Sequence, residues 1–139
     1  MKRFARFIPL FLFTSAFGLA SCKKDSAAEL PAAGLAGRWQ LVSHQCYCAP
    51  APLPNEVIEF SGNNFLFFEN NRLSAAGPYT DNATATICGT RAPAAALSFA
   101  PTTGVWQRGA PVFTLSGNTL RLDYGGPCDA PVDTYERMP

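Results

Sequence analysis

Glu56-Val57-Ile58-Glu59-Phe60, Ser61-Gly62-Asn63-Asn64, Phe65-Leu66-Phe67-Phe68-Glu69 is the stretch that decides the fold class: two short β-rich runs joined by a turn. Branched and aromatic side chains suit a pleated, half-buried surface, while Gly and Asn tolerate the positive φ that tight hairpin turns require. The same chemistry returns where residues 111–115 lead through Ser116-Gly117-Asn118 into Thr119-Leu120-Arg121-Leu122-Asp123-Tyr124. Two hairpins built alike predict an antiparallel, all-β chain.

Working outward, Arg38-Trp39-Gln40-Leu41-Val42-Ser43-His44 is an opening strand with Trp39 and Leu41 on one face and Gln40 on the other. Asn70-Asn71 reads as a turn into a weaker strand that ends near Pro78-Tyr79-Thr80, followed by a threonine-alternating run over residues 83–88. Residues 94–100 read as a strand, 101–109 as a loop, and Val132-Asp133-Thr134-Tyr135-Glu136-Arg137 as the closing strand. No amphipathic helix of useful length interrupts them. Eight or nine short strands joined mostly by hairpins predict a small antiparallel up-and-down β-barrel of about eight strands, with a β-sandwich as the alternative. The barrel is favoured because closure removes the exposed edges a small all-β domain would otherwise have to protect. The domain then runs over residues 37–139, and Trp39, Leu41, Ile58, Phe60, Phe65, Phe67, Leu120 and Leu122 are shared between its interior and any cavity.

The N-terminus obeys a different pattern. Lys2, Arg3 and Arg6 precede an uncharged apolar run over residues 7–20, the layout of an export signal. A membrane-spanning helix needs about 20 predominantly apolar residues; Pro9, Gly18 and the Lys23-Lys24 pair cut this one short. Leu19-Ala20-Ser21-Cys22 resembles the lipobox of bacterial lipoproteins. That resemblance implies removal of residues 1–21, lipidation of Cys22 and a membrane contact through the lipid. Residues 22–36, small, polar or turn-forming, read as a flexible tether. Lys23-Lys24-Asp25 resembles the charged export signals of certain bacterial surface lipoproteins, which implies an outer-membrane position in the cell envelope, on its periplasmic or surface face. Cleavage leaves 118 of the 139 residues, enough for one domain, with eight Lys/Arg against ten Asp/Glu. Without a basic cluster, no nucleic-acid partner is expected.

Leu35-Ala36-Gly37-Arg38-Trp39-Gln40-Leu41 resembles the Gly-x-Trp opening of lipocalins and of the lipocalin-like domains of short bacterial lipoproteins. In that family the tryptophan plugs the closed end of the barrel and an arginine of the last strand packs across its face, a cation-π arrangement. The resemblance puts that arginine at Arg137, with Arg121 as the alternative. It implies a barrel that binds a small apolar or amphipathic ligand against Trp39, Leu41, Phe60, Phe65, Phe67 and Leu122, without a cofactor. The competing reading is a structural or interaction protein of the envelope, its barrel filled by its own phenylalanines and its surface meeting another envelope protein.

Setting Cys22 aside, Cys46, Cys48, Cys88 and Cys128 remain, and an even number in an exported domain reads as two disulfides. In a barrel of even strand count the end of the first strand lies beside the start of the last. That geometry predicts a bridge from Cys46 or Cys48 to Cys128, with Cys88 taking the other. His44, Cys46 and Cys48 also recur every second residue, and imidazole with thiolates suits copper or zinc. In an oxidising compartment cysteines pair more often than they ligate, so no metal is expected.

Nor is catalysis expected. His44 is the single histidine, and no Gly-x-Ser-x-Gly elbow or His-Glu-x-x-His helix accompanies it. Glu56 and Glu59, or Asp123, Asp129 and Asp133, could pair as acid and base, yet carboxylates near hairpin ends are usually solvated.

Overall fold

The computed structural model describes residues 34–89 and 91–139. The export signal, Cys22 and residues 22–33 of the tether lie outside them. Nine strands follow in order: β1 (Gly37–Gln45), β2 (Glu56–Ser61), β3 (Asn64–Glu69), β4 (Arg72–Ala85), β5 (Ala94–Phe99), β6 (Thr103–Gly104), β7 (Val112–Ser116), β8 (Thr119–Asp123) and β9 (Val132–Arg137). All pairings are antiparallel. Eight strands close into a ring in the order β1-β2-β3-β4-β5-β7-β8-β9, and β6 lies outside it along β4. Closure through β1 and β9 makes this a barrel and removes the sandwich alternative.

Three tight turns depend on residues that accept positive φ. Gly62 (φ 55°) joins β2 to β3, Asn70 and Asn71 (50° and 62°) join β3 to β4, and Gly117 (57°) joins β7 to β8. Alternation then sorts the side chains. Trp39 and Leu41 of β1, Ile58 and Phe60 of β2, Phe65 and Phe67 of β3, Leu120 and Leu122 of β8, and Tyr135 of β9 form one buried cluster. Opposite the bulky Phe65 and Phe67, β4 presents Gly77 and Ala75. Large facing small is how a narrow barrel fills without voids.

Several details depart from expectation. The weak strand and the first three residues of the threonine run are one strand, β4, which ends at Ala85 and whose pairing with β5 shifts register between Thr80 and Ala83. Within the expected loop, Thr103 and Gly104 pair with Ala76 and Ala75. At Gly104 the approach is so close that a Cβ would collide with the Ser74 carbonyl oxygen. The end of the expected tether belongs to the domain, since Leu35 is buried in the core cluster.

The sulfurs also pair otherwise than expected: Cys46 lies at disulfide distance from Cys48, and Cys88 from Cys128, with Cα separations of 5.3 and 5.8 Å. The underlying geometry held, because Gln45 at the end of β1 does sit opposite Val132 at the start of β9. But the connection from β8 to β9 tightens into a 3-10 turn (Gly126–Cys128). That turn carries Cys128 to the β4–β5 loop, where Gly89 at φ 86° packs against Pro127.

Candidate functional site

The two ends of β1 and β9 meet different chemistry. At the end where β1 begins, the Trp39 indole is fully buried and donates through Nε1 to the Leu35 carbonyl at 2.8 Å. The Arg137 guanidinium lies 4.1 Å above the centre of the Trp39 rings. It also donates to the Ala36 and Gly34 carbonyls, the latter at 2.7 Å. One cation thus satisfies the chain that folds across this end, and the face of the indole stabilises that cation further. Arg121, the alternative for that position, instead pairs with Asp123 at 3.0 Å.

Between the ends, the barrel interior is lined by this chain's own rings. Phe60, Phe65 and Phe67 are buried there, with Leu41 and Leu122 in the same cluster. Trp106, on the segment between β6 and β7, inserts among them: its ring centre is 4.2 Å from Phe99, 5.2 Å from Phe67 and 5.9 Å from Phe65. The contacts with Phe65 and Phe67 are edge-on, an arrangement favoured by the ring quadrupoles, and the one with Phe99 is tilted. The segment's own backbone fixes the insertion, as Trp106 Nε1 donates to the Gly109 carbonyl at 2.8 Å.

Two residues on, Arg108 shuts the opposite end. Its guanidinium donates to both oxygens of Glu56, at 2.9 and 2.5 Å, and to Asp133 Oδ2 at 3.0 Å. It also lies 5.4 Å from the centre of the Phe67 ring. The carboxylates it bridges are out of solvent, Glu56 being 2% exposed and Asp133 0%. Asp133 Oδ1 engages His44 Nδ1 at 2.6 Å, and the buried Tyr135 hydroxyl donates to Glu56. Comparison with known proteins finds no matching family model, curated protein or solved structure.

Electrostatics follow from burial. Desolvation raises the Asp133 pKa above the ordinary value, against the opposing pull of His44 and Arg108. For Arg108, burial favours the neutral form, but the hydrogen bond and charge of Glu56 outweigh it and the pKa rises. Tyr135 is held well above 10.0 by burial, then by Tyr124 and the two carboxylates. Chemically, this is a clasp: every charge in it is already taken by a neighbour.

Of the carboxylates considered for acid-base work, Glu56 and Asp133 are brought together, yet in the buried interior rather than in solvent. Glu59 points outward to Arg38 at 3.5 Å, and Asp123 caps the turn after β8, accepting from the Gly125 and Gly126 amides at 2.9 Å each. The residues that sequence reasoning missed are Trp106 and Arg108. Their segment carries no period, and the one available signal was Glu56, whose spacing puts a charge on the inward face of Ile58 and Phe60.

Proposed function

We propose that this chain is an exported envelope lipoprotein, held at the outer membrane by a lipid on Cys22, whose barrel is a filled, non-catalytic scaffold that acts through its surface on other envelope components. Trp106 carries the filled-barrel reading: it takes the position among Phe65, Phe67 and Phe99 that the apolar part of a ligand would need. A ligand of useful size would first have to expel that indole and break the Arg108 bonds to Glu56 and Asp133. The export reading is supported by Leu19-Ala20-Ser21-Cys22 and by two cysteine pairs at disulfide distance, which suit an oxidising compartment. Tyr47, 88% exposed, and Leu53, 48% exposed, leave apolar surface on the β1–β2 loop that a protein partner would cover.

Native mass spectrometry of protein extracted from membranes in mild detergent tests both halves. The expected species carries a covalent lipid on Cys22 and no second, noncovalent molecule, and Cys22→Ser moves the protein to the soluble fraction. A stoichiometric apolar molecule retained by the native protein would restore the ligand reading. Unchanged membrane fractionation of Cys22→Ser would remove the anchor.

A further inference from the structure

We propose that His44, Cys46 and Cys48 form a binding site for copper(I), open when the two sulfurs are reduced and shut when they are joined. His44 is the penultimate residue of β1, and the chain beyond the strand keeps the two cysteines on its side. A ring nitrogen of His44 and both sulfurs lie within 4.8 Å of one another. Metal bonds to sulfur and to imidazole nitrogen run about 2.3 and 2.0 Å, so donors around one ion stand roughly 3.5–4 Å apart. The three therefore need only a small adjustment, the parting of the sulfurs.

The imidazole is already held in place. Asp133 engages Nδ1 at 2.6 Å, which leaves Nε2 as the ring nitrogen free to ligate. Asp133 is itself fully buried and tied to Arg108 at 3.0 Å, so it cannot swing away. A carboxylate behind a ligating histidine fixes both ring orientation and tautomer.

Donor chemistry chooses the ion. Two thiolates and an imidazole are soft, which excludes calcium and magnesium. Zinc would have to take a fourth ligand from solvent here, whereas the three donors that the cluster offers among the described residues complete a copper(I) site by themselves. A soft monovalent ion satisfied by three donors fits. The site opens to solvent, since Cys48 is exposed and the three residues line a surface depression of about 490 Å³ rimmed by Val42, Leu53 and Pro54.

The redox step balances with a dithiol as reductant. Two electrons and two protons pass from it to the Cys46–Cys48 bond, giving two thiols here and a disulfide in the reductant. Copper(I) then displaces the two thiol protons. In the reverse direction a disulfide serves as oxidant: it takes up the two electrons, with two protons from solvent, to become a dithiol, the Cys46–Cys48 bond re-forms, and copper(I) is released. The pair separated by 2 residues is the one to cycle, because a crosslink closing a longer loop, such as the 40-residue separation of Cys88 and Cys128, restricts the unfolded chain more.

The test is anaerobic titration of the reduced, desalted protein with copper(I), supplied as its acetonitrile complex, against a chromophoric copper(I) chelator. One equivalent is expected, with thiolate-to-copper absorption in the near ultraviolet, and none in the oxidised protein. Cys46→Ser with Cys48→Ser should abolish it, His44→Ala should weaken it at least tenfold, and Cys88→Ser with Cys128→Ser should leave it intact. Near-ultraviolet circular dichroism confirms that each variant is folded. Failure of the wild-type protein to take copper from the chelator, or retention of the equivalent without Cys46 and Cys48, would overturn the proposal.

Discussion

Arg108 is the side chain whose loss should be felt most for its exposure. It bridges two carboxylates that have no access to water, so replacing it leaves a buried negative pair uncompensated. Breaking such a pair from one side costs about 3–5 kcal/mol, whereas removing both partners costs far less. Because the Arg108 side chain keeps 25% of its surface in solvent, Arg108→Met should fall at the low end, about 3 kcal/mol by denaturant titration. Adding Glu56→Gln to that variant should recover part of the loss. If Arg108→Met alone leaves the midpoint unchanged, the clasp does not hold this end closed. The same scale explains why Glu56 could be read and Arg108 could not. Glu56 shares its parity with Ile58 and Phe60, which is visible in a hexapeptide, but its cation stands 52 residues away in a segment without alternation.

Strands and turns were legible wherever local chemistry decides them. The hairpins at Gly62 and Gly117 follow from residues that accept positive φ, and the opening and closing strands from plain alternation. β6 was not legible, because two residues become a strand only through the pairing of Thr103 and Gly104 with β4. The continuation of β4 past Thr80 was hidden for a similar reason: an irregular register breaks the period that reading relies on. The sulfur pairing failed at this scale too, since a 3-10 turn of three residues redirected Cys128. Two predictions belong here. Cys88→Ala with Cys128→Ala should cost about 4 kcal/mol, the loop-entropy value for a separation of this length, read as a lower midpoint of unfolding without reductant. Gly104→Val should detach β6, because its φ is 70° and a Cβ meets the Ser74 carbonyl. Its signature is faster amide exchange at residues 103–108, with the hairpin of β2 and β3 still protected; uniform protection would show that β6 does not anchor Trp106 and Arg108.

At the scale of the molecule, a barrel filled by its own rings and clasped by buried charges has a predictable response to alkali. The chain has four tyrosines, of which Tyr47 is exposed. Burial first raises both Tyr124 and Tyr135 above the ordinary 10.0; Asp133 adds to it at Tyr124, and Tyr124 and then Asp133 add to it at Tyr135. Unfolded, both would ionise near pH 10. The stability gained by keeping them neutral is therefore whole below pH 10 and is lost as pH climbs past it toward their folded-state values. With both ionised only in the unfolded chain, the slope approaches about 2.7 kcal/mol per pH unit. Tyrosinate absorbance should rise in two stages, the second coinciding with loss of circular dichroism; a single stage with the fold intact would contradict the burial of these hydroxyls.

The most direct measurement is calorimetric titration of a long-chain fatty acid into the wild-type protein and into Trp106→Ala. Removing the indole should cost about 2 kcal/mol or more, since Trp to Ala costs about 3–5 in a fully buried site and Trp106 is only partly buried. It should also leave an apolar space bounded by Phe65, Phe67 and Phe99. No saturable heat is expected for the wild-type protein and one saturable site for the variant. One tight site in the wild-type protein, unaffected by Trp106→Ala, would contradict the self-filled barrel.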